Sequence, residues 1–403
     1  MYQEKNYRMP WAVLGCATML GFAMWVPTFC VPPMEHILKE ELMLTHAQTS
    51  LLYSAPMIMM IAVSIPAGII SDRIGLRKAA GIGAILIAVG ALLRGTASDA
   101  PSLLAYTFIY GAGFAWSFPN LPKLVSARVP KEKAGIATGI FSSGFAAGIA
   151  VAMATTMPLV FPITGTFQGV FLFWSIPPIA AAVIWWIVVR ESTSNNTHGD
   201  PASTEHIPFR RIIQTRHLWT VIILFLLNEF FFYTWSGWSP ALLMLKGATA
   251  ESAGLLTSIT MWVGIAACLL IPHLSNKVGL RKPFIWGSAL LIVLATWIIR
   301  YLPLSMVWLP MVLVGIAGLT RYITILAITI EIMSEKEIGR AIGLVLSIGS
   351  VGGVIGPYIG GYILDVTGSL ELVLFILIGV SIATAVITLK LPETGPRAKI
   401  KQQ

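Results

Sequence analysis

The chain has 403 residues, of which 56% are hydrophobic and only 11% charged, with a formal net charge of +9. An ordinary soluble domain carries about 25% charged residues, so this composition excludes a soluble globular protein, a disordered chain, a collagen-like fibre and a nucleic-acid-binding domain. A mean hydropathy of +0.80 places most of the chain in lipid.

A membrane-crossing helix takes about 20 apolar residues. Twelve such runs are expected, near 11–33, 49–70, 80–98, 102–122, 134–158, 166–189, 217–237, 251–273, 283–301, 305–332, 339–364 and 371–390. The first is too long for a cleaved leader, holds Pro27, Pro32 and Pro33, and lacks a small-residue cleavage site. The longest polar stretch, 190–216, falls after six spans. It divides the chain into a six-helix half (1–189), a cytoplasmic linker (190–216), a second six-helix half (217–390) and a cytoplasmic tail (391–403). Cys16, Cys30 and Cys268 lie in apolar runs and read as small buried hydrophobes.

Orientation follows from the basic residues. With the N-terminus in the cytoplasm, 22 of the 27 Lys and Arg fall on the cytoplasmic side, and only Lys39, Arg94, Lys246 and Arg300 fall outside. This predicts a multi-pass protein of the cytoplasmic (inner) membrane with both termini inside. The basic loops then face an anionic leaflet. Arg94 and Arg300 sit at span ends and are expected to snorkel.

The halves look like copies. Asp72-Arg73-Ile74-Gly75-Leu76-Arg77-Lys78 follows span 2, and Asn276-Lys277-Val278-Gly279-Leu280-Arg281-Lys282 follows span 8, at an offset of 204 residues. Gly135, Gly139 and Gly148 match Gly339, Gly343 and Gly352 at the same offset. Duplicated halves around a midplane site are a carrier architecture.

The segment from Gly68 through Asp72, Arg73, Gly75, Arg77 and Lys78 resembles the loop 2–3 signature of the major facilitator superfamily, departing only at Leu76. Within that superfamily, Tyr110 to Gly113, Asn120 to Val125, Gly135 to Gly139 and Trp238 to Leu243 resemble the cyanate-porter group, which moves small, often anionic solutes. The resemblance implies an all-α membrane protein with twelve transmembrane helices in two pseudo-symmetric halves. It implies a secondary active transporter working by alternating access.

In that fold span 2 neighbours span 11. A carboxylate on Asp72 facing the N-terminus of span 11 would form a cytoplasmic latch. Gly68 and Gly75 frame that loop, Arg73 and Arg77 hold it, and Arg340 adds an ion pair. The second copy has the uncharged Asn276 instead. Gly139 and Gly148 of span 5, with Gly352, Gly356 and Pro357 of span 11, are expected to pack against spans 8 and 2 of the opposite halves, with Gly356-Pro357 as the flexible point.

Ionisable groups at mid-span are costly and point to function. Two qualify, Glu229 in span 7 and Arg321 in span 10. The first half offers Trp25, Trp116 and Asn120, with Trp25 opposite Glu229 and Trp116 opposite Thr320 under the 204-residue offset. Tyr233 and Tyr322 complete the expected lining. One Arg among aromatic rings suits a small monovalent anion such as a monocarboxylate or a cyanate-like ion. Glu229 either pairs with Arg321 or carries a proton. The alternatives are an exporter of small neutral or amphipathic compounds and, more remotely, a polytopic membrane enzyme. No Walker A sequence is present, and no metal or cofactor is expected. The expected partners are a small-molecule solute, the lipid bilayer and protons, with the protein acting as a monomer and binding no nucleic acid.

Overall fold

A computed structural model describes residues 11–129, 134–190, 212, 214–334 and 337–397, with a few side chains inside helices, that of Asp72 among them, outside the description. Fifteen helices carry the described chain: α1 (Trp11–Phe29), α2 (Glu35–Glu41), α3 (His46–Ile74), α4 (Leu76–Arg94), α5 (Ala100–Ser117), α6 (Asn120–Arg128), α7 (Ala134–Thr155), α8 (Phe161–Thr164), α9 (Phe167–Val188), α10 (Arg216–Leu245), α11 (Ala250–Val278), α12 (Lys282–Ile298), α13 (Trp308–Ile332), α14 (Ile338–Thr367) and α15 (Glu371–Thr388).

The expectation of twelve spans is not matched in number. Ten helical stretches among the described residues are long and apolar enough to cross a membrane. The two short of that measure are α5, long enough at 18 residues but not apolar enough, and α12, at 17 residues. Span 4 breaks because Pro119 lacks the N–H that would continue the helix, so the chain turns at Phe118-Pro119 and restarts as α6. The linker at 191–211 lies outside the described residues.

Local signals set the helix starts. Thr45 and Gln48 form a reciprocal capping box on α3. Asp99 caps α5 by accepting from the Ser102 amide at 2.8 Å, and that bond holds its carboxyl below the usual carboxylate range. Gly75 links α3 to α4 at φ 88°, a backbone angle that side-chain-bearing residues avoid.

Helix pairing repeats across the chain. In the first part α1 packs on α7, α4 on α5 and α9, and α3 on α5; in the second α10 packs on α14, α12 on α13 and α15, and α11 on α13. Two crossings join the parts, α3 with α14 and α7 with α11. The expected crossings are present, but of the glycines expected to serve them Gly148, Gly352 and Gly356 pack within their own part. A side chain at Gly148 would meet the Phe22 carbonyl of α1, and at Gly352 or Gly356 the Leu226 or Phe230 carbonyl of α10. Gly139 has only Leu269 of α11 near it, at 3.6 Å. Pro357 sits inside α14, where its carbonyl accepts from Trp238 Nε1 at 2.9 Å.

We call the face where α1 begins the terminal face and the other the far face. At the far face the two parts meet closely. The Asp365 carboxylate, near the end of α14, accepts from the His46 and Ala47 amides that open α3, at 2.8 and 3.0 Å. The His46 ring continues this contact. Lys39 Nζ lies 2.8 Å from Nε2, and Glu35 Oε1 lies 2.7 Å from Nδ1. An ammonium only donates, so Nε2 accepts and Nδ1–H donates to Glu35.

Candidate functional site: the central cavity

A cavity of about 260 Å³ lies between the two parts. This is below the usual range for drug-sized ligands, about 300–1,000 Å³. Its wall is rich in aromatic and sulfur-bearing side chains: Trp25, Phe118, Phe145, Phe225, Phe232, Tyr233 and Tyr322, with Met57, Met60, Met261 and Cys268. Gly139, Cys268, Pro272, Ile323 and Leu346 carry the wall toward the terminal face. A larger recess of about 430 Å³ between α1 and α7 is lined by no charged group.

Trp25 organises the first-part wall. Its ring sits 5.0 Å from Phe114 edge-on, 6.2 Å from Phe118, 6.3 Å from Phe145 and 6.5 Å from Tyr233 of α10. These separations are those of favourable ring pairs. Trp25 Nε1 and the Tyr233 hydroxyl are buried and have no hydrogen-bond partner among the described residues.

The polar wall is narrow. Glu229 and Asn228 of α10 line the cavity. Arg321 of α13 does not; it is 0% exposed and lies one layer behind. Its Nε donates to Asn228 Oδ1 at 2.8 Å, and Asn228 Nδ2 donates to Glu229 Oε1 at 3.2 Å. The guanidinium stacks 5.2 Å from the Phe231 ring. Its two terminal nitrogens have no partner among the described residues. An amide thus separates the cation from the acid, in place of the direct pair that the sequence left open.

The structure brings Trp25, Glu229, Tyr233 and Tyr322 together and leaves three expected residues off the wall. Arg321 stands behind Asn228. Trp116 is not on the wall, and its Nε1 is buried without a described partner. Asn120 is used for packing: its Nδ2 donates to Ser71 Oγ at 2.8 Å and to the Trp116 carbonyl at 2.7 Å, fixing α6 to α3. Phe118, next to the break at Pro119, lines the wall, whereas Trp116 does not. Sequence reasoning also missed Asn228. A filter for charge passed over it, although an amide at mid-span is itself unusual and adjoins Glu229.

The basic residues of the loops and span ends are more engaged than expected. Arg94 is fully buried and does not snorkel. It donates to the Pro27 carbonyl, with its guanidinium 4.1 Å from the Phe171 ring. Arg77 is bound to α9, donating to the carbonyls of Val189 and Trp186. Its counterpart Arg281 pairs with Glu331 at 2.8 Å. Arg73 and Arg340 are exposed, and an added side chain at Gly68 would meet nothing within 4 Å. The Asp72 carboxylate, on which the latch depends, lies outside the described side chains. No group of three or more His, Cys, Asp or Glu is placed to hold a metal among the described residues.

A bundle of lipid-length helices, paired by one repeated scheme around a central cavity, with a buried cation and a buried acid bridged by an amide, defines a membrane carrier. The chain matches the Major Facilitator Superfamily over residues 12–320 and 247–403, and it belongs to that family. It is 24% identical over 382 residues to the uncharacterized transporter YycB of Bacillus subtilis, covering 93% of this chain and 92% of that one. It is 25% identical over 338 residues to the 2-nitroimidazole transporter of Escherichia coli, covering 84% of each. It is 22% identical over 362 residues to the cyanate transport protein CynX of Escherichia coli, covering 87% of this chain and 89% of that one. Its fold matches, with a TM-score of 0.74 and 18% identity over 96% of this chain and 95% of the other, the crystal structure of a bacterial homolog of the human lysosomal transporter Spinster in its inward-facing, unoccupied conformation. The protein is a transporter of this superfamily rather than an enzyme, and its partners are a small-molecule solute and the lipid bilayer.

Proposed function

We propose that the protein is a secondary active transporter of a small organic anion, working by alternating access, with Glu229 as the proton-carrying group. The observation that carries this reading is the polarity of the cavity. Trp25 Nε1, the Tyr233 hydroxyl and the Asn228 amide bring donors to or just beneath the wall, and the Arg321 charge stands behind them. Carboxylates accept and do not donate, so a carboxylate head group matches this set. The likeness to CynX, named for cyanate, is in line with an anion.

This reading keeps the two halves at 1–189 and 217–390, the linker at 190–216 and the tail at 391–403. It keeps a monomer in the cytoplasmic (inner) membrane, with both termini inside as the basic loops require. The terminal face is then cytoplasmic, and the cavity wall extends inward. In the opposite state Asp72 would face the start of α14, supported by Arg73, Arg77 and Arg340 around Gly68 and Gly75. Gly356-Pro357 would absorb the bend.

A second reading is favoured by the rings. A flat, uncharged heteroaromatic solute would stack between Trp25, Phe118, Phe145 and Tyr233, with Glu229 accepting from a ring N–H. The relative named for 2-nitroimidazole is in line with it. Thermal stabilisation of the purified protein by cyanate, benzoate, benzamide and 2-nitroimidazole separates the readings, because a ligand stabilises the state it binds. Benzoate above benzamide supports the anion. Stabilisation by 2-nitroimidazole and benzamide but not by benzoate replaces it. Glu229→Gln should abolish pH-dependent uptake while sparing counterflow exchange; unchanged pH dependence would remove the proton role.

A further inference from the structure

We propose that Asn228 is the residue that meets the negative charge of the solute, and that Arg321 is a positioning residue acting through it. This rests on the anion reading of the cavity.

The geometry orders the two. Asn228 and Glu229 line the cavity, whereas Arg321 is fully buried behind them. Arg321 is not among the lining residues; its Nε is held by Asn228 at 2.8 Å and its guanidinium lies 5.2 Å from the Phe231 ring. The orientation of the Asn228 amide follows from its partners. A guanidinium has donors only, so the atom facing Arg321 is Oδ1 and the atom facing Glu229 is Nδ2. Arg321 therefore fixes the amide with its donor end toward Glu229, which lines the cavity beside it. One N–H of Nδ2 serves Glu229, and the other is assigned to the solute.

The arrangement suits a carrier, which has to release what it binds. A buried guanidinium–carboxylate pair must recover a large desolvation cost, and breaking it again is expensive. An amide backed by a cation is a stronger donor than an amide alone, because hydrogen bonds in a chain polarise one another. It still avoids direct contact between full charges. Discrimination between an anion and its neutral isostere would then reside at Asn228, with the sign of the preference set by Arg321.

The test uses benzoate and benzamide, which share a ring and differ in charge, bound to the purified full-length protein and followed by calorimetry. The wild type should favour benzoate. Asn228→Asp replaces the donor with an acceptor at constant shape; it should weaken benzoate at least tenfold and leave benzamide within threefold. Arg321→Lys keeps a charge that can donate to Oδ1 and should hold benzoate within threefold, whereas Arg321→Ala should lose at least tenfold. If Asn228→Asp does not fold, Asn228→Leu should likewise erase the preference for benzoate and keep benzamide. Equal weakening of both ligands would reduce Asn228 to a packing role and overturn the proposal. Arg321→Lys as harmful as Arg321→Ala would mean that the fork itself contacts the anion, and would overturn it too. A wild-type preference for benzoate that survives the Asn228 variants defeats this inference alone. A wild type with no such preference defeats the anion reading and this inference with it.

Discussion

At the far face, α14 ends on the Asp365 carboxylate, which caps the first two amides of α3, while toward the terminal face the glycines of the same two helices have open space beside them. Gly361 of α14 is so close to α3 that an added side chain would lie 2.6 Å from both the Ala47 nitrogen and the His46 oxygen. Near the other end, the same addition at Gly68, Gly339 or Gly343 would meet nothing within 4 Å. Between the two ends, Ser64 and Ser347 touch through their hydroxyls at 3.2 Å. In the α7–α11 crossing Gly254 is pressed against the Met153 carbonyl at 2.5 Å, whereas Gly139 is in ordinary contact with Leu269 at 3.6 Å. Both crossings are pressed together at the far face and carry less crowded glycines toward the terminal face.

That asymmetry can be broken from the closed side. Gly361→Ala should have the largest effect, since overpacking against backbone costs about 1–3 kcal/mol and about 1.4 kcal/mol is a tenfold change in an equilibrium. Cys268 lines the cavity on its terminal side, while Cys16 and Cys30 are buried, so its native thiol reports the state. Maleimide labelling of Cys268 in inverted vesicles should slow at least fivefold in Gly361→Ala; an unchanged rate would show that the Gly361 contact does not hold the far face shut. Asp365→Ala comes next. A carboxylate on a helix N-terminus contributes about 0.3–2 kcal/mol, so labelling should slow about threefold, with Asp365→Asn in between because an amide oxygen still accepts. Asp72→Asn should act in the opposite direction and raise labelling about twofold, by weakening closure of the terminal face, while Asn276→Ala leaves the rate unchanged. A decrease in Asp72→Asn, or equal changes in both, would end the asymmetric-latch reading.

Much of this was legible from residue order. Charge scarcity, the basic loops and the 204-residue repeat led to the fold, and Glu229, Trp25, Tyr233 and Tyr322 reached the cavity as expected. What failed was orientation around a helix axis. Arg321 and Tyr322 are neighbours in sequence, yet one is behind the wall and the other on it, because about 100° separates adjacent residues on a helix. The depth of Arg321 could be read from its place in the span, but its direction could not. Trp116 and Phe118 differ in the same way, two residues apart at the end of α5, with only the second on the wall. The far-face cluster escaped notice because Asp365 and His46 are 319 residues apart in loop-edge positions, where charge is ordinary.

Gly343→Ala is the smallest expected effect and the one that distinguishes a static asymmetry of the crossing from an alternating one. In the present arrangement the added methyl meets nothing within 4 Å, and Ala is favoured over Gly inside a helix by about 0.5–1 kcal/mol. On these grounds alone the variant should be slightly more heat-stable, by about 2 °C or less for a chain of this size. If the terminal ends of α3 and α14 must approach in the other state as closely as the far ends do here, the same methyl would obstruct that approach. Cys268 labelling should then rise modestly while transport falls. Raised stability with unchanged labelling and unchanged transport would mean that Gly343 stays clear of α3 in both states, and that the two ends of the crossing do not exchange roles.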